Sequence, residues 1–168
     1  MRISMYGAAR TTMGDRLAGF IYGTIVVLSV IVGGARDYGH EPGHIAVVAA
    51  ITCFVLWLGH VYAHAVCDAV SHEERLTWTA LRTIAHREAS IIEAAVPSTV
   101  ALLLGTLHFI DESTALWLAF ALGLGVLGAQ GVVYARVERL GALGTAAIIG
   151  ANIALGLVLV GLKLFVSH

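Results

Sequence analysis

The chain has 168 residues, 58% hydrophobic and 12% charged, with a formal net charge of −1 at pH 7. Soluble domains run near a quarter charged, and a domain this small buries only about two-thirds of its surface, so water is a poor solvent for so much apolar surface. The near-neutral balance excludes a basic field for nucleic acid, and two cysteines in one apolar segment, Cys53 and Cys67, argue against a disulfide framework.

A helix needs about 20 apolar residues to cross a bilayer core of roughly 30 Å. Five stretches suit: 17–35, 45–67, 91–110, 113–135 and 140–162. The first lies between Arg16 and Arg36, is too long for a signal-peptide core and lacks a convincing cleavage site, so it reads as a retained span. The third has an apolar heart, Ala94–Ile110, extended by Ser90-Ile91-Ile92 with Glu93 facing protein. Its Pro97 marks either a kink or a first turn. Backbone in lipid must satisfy its own hydrogen bonds, and period-two alternation is absent. The expected fold is therefore all-α, a single polytopic transmembrane bundle over residues 1–168.

Residues 68–92 differ in character. Ser71 and Glu74 fit a capping box, and Leu81, Ile84 and Glu88 follow helical spacing. This predicts a cytoplasmic amphipathic helix on the membrane surface, or one continuing into the third span. Arg2, Arg10, Arg16, Arg75, Arg82, Arg87, Arg136 and Arg139 fall on one side of the predicted membrane, against Arg36 and Lys163 on the other. That bias places the N-terminus in the cytoplasm and, with five spans, the C-terminus outside.

Small residues recur every fourth position: Gly19 and Gly23; Ala121, Gly125 and Ala129; Ala146, Gly150 and Ala154. Such stripes let helices approach closely, within a chain or between copies, and a homo-oligomer is expected. Gln130 and Asn152, deep in the fourth and fifth spans, are expected to hydrogen-bond between helices.

Ionisable groups inside a membrane are costly and draw attention. His60 and His64 sit one turn apart, with Asp68 and His72 continuing the stripe. Two readings stand: a divalent-metal or proton site built from His60, His64, Asp68 and His72, or imidazoles that simply hydrogen-bond neighbouring helices. Val61 follows His60, so the H-E-x-x-H metalloprotease pattern is absent. His108 lies at the opposite end of the bundle, which disfavours haem ligation with His60 or His64. Arg36, Asp37, His40, Glu41, His44, His108, Asp111, Glu112 and His168 gather on the outer side, where an acidic excess would concentrate cations. No nucleophile is paired with a base, so no catalytic set is expected.

The run Arg16-Leu17-Ala18-Gly19-Phe20-Ile21-Tyr22-Gly23, with Trp57 and His60 three apart in the next span, resembles the bacterial and endolysosomal potassium-channel family whose first helix carries Arg-x-x-x-Phe-Ser-Asp. Arg16, Phe20 and Gly23 fall on matching positions, while Ile21-Tyr22 replaces Ser-Asp. Glu93 to Thr99 looks distantly like that family's next proline-containing helix. The resemblance implies an oligomer with first helices around a pore that apolar side chains gate by dewetting. The corresponding face would be Gly23, Val27, Val30 and Ile31, braced by Arg16, Phe20, Trp57 and His60. A cation channel is thus the first expectation, a metal-binding or metal-transporting protein the second, and a non-catalytic membrane subunit or scaffold the third.

Overall fold

The computed structural model describes residues 2–37, 41–72 and 77–166. Helices account for nearly all of them: α1 (Arg2–Asp37), α2 (Pro42–His72), α3 (Trp78–Arg87), α4 (Ser90–Glu93), α5 (Val96–Thr106), α6 (Glu112–Val137) and α7 (Ala142–Val166). Three have stretches long and apolar enough to cross a membrane: Arg16–Ala35 in α1, Pro42–Val70 in α2, and all of α6. A further candidate is bent: α3–α4 and α5 meet at 50°. In α7 the described apolar stretch, Ala142–Val158, is shorter.

The α1 helix is central and packs against α2, α4, α6 and α7. Val27, Ile31, Ile45, Ala46, Cys53, Ala95, Ala101, Leu102 and Ala119 form the largest core cluster, and Ile25, Leu28 and Leu127 a second. Small residues set the spacing. A Cβ on Gly23 would lie 2.6 Å from the Ile91 carbonyl oxygen, and one on Gly131 would lie 3.0 Å from Ile149 Cα, so these helices meet backbone to backbone. Asn152 Nδ2 donates to the Leu127 carbonyl at 3.3 Å, joining α7 to α6 as expected; Gln130 makes no such bond among the described residues.

The third segment departs most from its expected form. Pro97 lies in the first turn of α5 and also follows a kink. The helical ladder tightens there: the Ala95 N–H bonds Ile92 O, three residues back, before Thr99 N–H resumes with Ala95 O. Proline supplies no N–H and clashes with the preceding turn, which accounts for the break. The capping box on Ser71 is not the start of the amphipathic helix. Ser71 still belongs to α2, Glu74 lies outside the described residues, and Thr77 Oγ1 caps α3 by accepting from the Ala80 N–H at 3.3 Å.

Two helix ends close with a left-handed residue, His108 (φ 60°) after α5 and Arg139 (φ 55°) after α6. Phe109 N–H returns to Leu104 O and Leu140 N–H to Ala135 O, the longer bond of a Schellman closure.

Candidate functional site

The α3–α4 segment lies against the ends of α1 and α2, and polar side chains tie it there. Arg16 Nη2 reaches both oxygens of Glu93, at 3.0 and 3.3 Å, across the α1–α4 contact. Both side chains are about half exposed, so in water the pair would contribute little.

Trp57 Nε1 donates to the Ala85 carbonyl at 3.0 Å. Near the C-terminus of α3 the Ala89 N–H turns to His86 O instead of Ala85 O. The indole therefore satisfies a carbonyl that the helix end leaves open. Val61 and Ala65 on α2 pack with Ile84 beneath this bond, flanked by Trp57, Leu81 and Ala85.

Glu88 is the buried charge of the cluster. Its Oε1 accepts from Arg87 Nε at 3.1 Å and lies 3.5 Å from His64 Nε2. The carboxylate side chain is only 6% exposed, whereas His64 is 44% exposed. A carboxylate so placed needs compensation, which Arg87 supplies at all ordinary pH and His64 adds when protonated.

His60 turns elsewhere. Its Nδ1 lies 3.0 Å from the Leu56 carbonyl, one turn back on α2, and a carbonyl can only accept, so Nδ1 carries the hydrogen in that bond. Its ring stands 5.5 Å from that of Tyr22 on α1. His60 and His64 thus serve different neighbours. Asp68 is exposed, and nothing is described of the His72 side chain. Among the described residues no three His, Cys, Asp or Glu side chains come together as metal ligands.

The bracing residues do gather at this end, but as separate contacts: Arg16 with Glu93, Trp57 with Ala85, His60 with Tyr22. The carbonyl of Phe20 accepts from Thr24 Oγ1 at 2.8 Å. The residues of the expected pore face lie inside the bundle of the single chain. Gly23, Val27, Val30 and Ile31 are all buried, Val27 at 1% and Ile31 at 2% exposure. A pore between copies would be lined by residues that face away from their own core, and Val27, Val30 and Ile31 pack into it.

Three hydroxyls mark the broken segment. Ser98 Oγ donates to the Ala119 carbonyl of α6 at 2.8 Å. Ser90 Oγ and Thr99 Oγ1 are buried without a hydrogen-bond partner. At the opposite end, His108 to Glu112 and Thr114 line an open cavity of about 550 Å³. His40 and His168 of the outer group lie outside the described residues.

Sequence spacing placed Glu88 on the apolar stripe with Leu81 and Ile84, which was the sign of its burial. The Trp57–Ala85 bond has no such sign, because it depends on a backbone carbonyl.

No protein-family model, curated protein or solved structure matches the chain. The class rests on the fold itself: an all-helical bundle with several helices long and apolar enough to span a membrane.

Proposed function

We propose that the protein is an integral membrane bundle of five spans, α7 being the fifth, that acts as a non-catalytic subunit of a homo-oligomer in the cell membrane. The observation carrying this reading is the outward apolar surface. Val47, Ile51, Phe54, Val55 and Leu58 of α2 and Leu118 and Leu122 of α6 are all exposed, a girdle that only lipid or a partner covers. Two small-residue stripes on α6 and α7 are also exposed, with nothing within 4 Å of a Cβ built on Gly125 or Gly150. These are the natural faces for a second copy. The arginine bias supports a cytoplasmic N-terminus, with α3 at the cytoplasmic surface.

Cation passage is the second reading, favoured by exposed Asp111 and Glu112 beside the open outer cavity. In it the path runs between copies, not along Val27 and Ile31.

Reconstitution tests both. The purified protein is crosslinked in liposomes and assayed for potassium, sodium and proton flux. A defined oligomer without flux supports the subunit reading, and flux in the oligomer supports the second. A monomer inert in both assays overturns them.

A further inference from the structure

An apolar groove of about 530 Å³ runs between α2 and α3, lined by Trp57, Leu58, Val61 and Tyr62 among others, with Trp78 and Arg82 across from them. The volume falls within the range of small-ligand sites. The floor is formed where Val61 and Ala65 meet Ile84. The sides are open: Leu58, Tyr62 and Val66 on α2 and Trp78 on α3 are all exposed.

We infer that this groove seats one acyl chain of an anionic phospholipid, with the phosphate beside Arg82. Two observations choose this occupant. The α2 wall is continuous with the apolar surface of a helix long enough to span a membrane, so the groove opens toward acyl chains. The α3 wall carries a free cation: Arg82 is exposed and has no ion-pair partner among the described residues, whereas Arg87 on the same helix is taken up by Glu88. Two tryptophans flank the site, as they do where a protein meets the headgroup level. The inference rests on the membrane reading above.

The chain has three tryptophans; Trp117 lies on α6, so in a Trp117→Phe background emission reports Trp57 and Trp78 alone. That protein is titrated in detergent micelles with phosphatidylglycerol or phosphatidylcholine brominated on the acyl chain. Quenching by phosphatidylglycerol should reach half-saturation at about fivefold lower lipid fraction, the effect of one arginine near an anionic headgroup. Arg82→Gln should erase that difference, and Val66→Phe should weaken quenching by both lipids. Equal quenching by both lipids, unchanged by Arg82→Gln, overturns the inference. So does quenching by neither lipid, and if Val66→Phe then also dissociates the oligomer, a second copy occupies the groove. Flotation with liposomes is scored separately: protein that does not float defeats the membrane reading itself.

Discussion

Glu88 shows how a single buried charge constrains its neighbours. Its carboxylate leans on Arg87 and His64, so removing one partner strands it. Arg87→Met should cost about 3 kcal/mol, at the lower end for a buried charge left unpaired. Arg87→Met with Glu88→Leu should recover most of that loss in thermal unfolding, a coupling that a double-mutant cycle reads directly. Trp57→Phe keeps the ring but loses the bond to Ala85 O, and should cost about 1 kcal/mol. Arg139 offers the opposite case. Its left-handed backbone burdens an L-residue, so Arg139→Gly should stabilise the protein by about 1 kcal/mol in the same assay.

Among the elements, legibility followed the length of the apolar run. In α1, α2 and α6 long uninterrupted stretches fixed the helices. The third segment was read as one span whose Pro97 marked either a kink or a first turn, and it does both; the proline was legible, while the angle of the bend depends on how it acts on the preceding turn. An amphipathic helix was expected within residues 68–92, and α3 occupies only 78–87 of that stretch; the cap was placed on Ser71, which continues α2. The candidate site was less legible. Arg16, Trp57, His60 and His64 all fall at one end of the bundle, yet each takes a different partner, and partner choice is tertiary. The stripes tell a similar story: Gly23 meets Ile91, whereas Gly150 meets nothing within 4 Å. Gly23→Ala should therefore cost about 1–3 kcal/mol as an overpacked contact. Gly150→Ala should be neutral or stabilising by up to about 1 kcal/mol, from helix propensity alone, in the dissociated subunit. Unfolding in detergent distinguishes them.

For the whole molecule, the proposed orientation rests on the arginine bias and can be tested directly. Cysteines introduced at Ser113, in the first turn of α6, and at Gly141, just before α7, lie at opposite ends of paired helices. With Cys67 replaced by serine, an impermeant thiol reagent applied to intact cells should label the Ser113 variant and spare the Gly141 variant. The reverse pattern would invert the orientation.

The broken segment also bears on how the chain is made. Eleven residues of α5 rise only about 16 Å, roughly half a bilayer core, and the turns before it carry Arg87, Glu88 and Glu93. Presented alone to the insertion machinery, such a segment has little reason to partition from the aqueous channel into lipid. Its charges are matched by Arg16 and His64, which emerge from the ribosome earlier. On the proposed membrane reading, insertion of this segment follows that of the first two helices, and a chain with Arg16 and His64 both replaced should accumulate less of the inserted protein in a membrane-insertion assay.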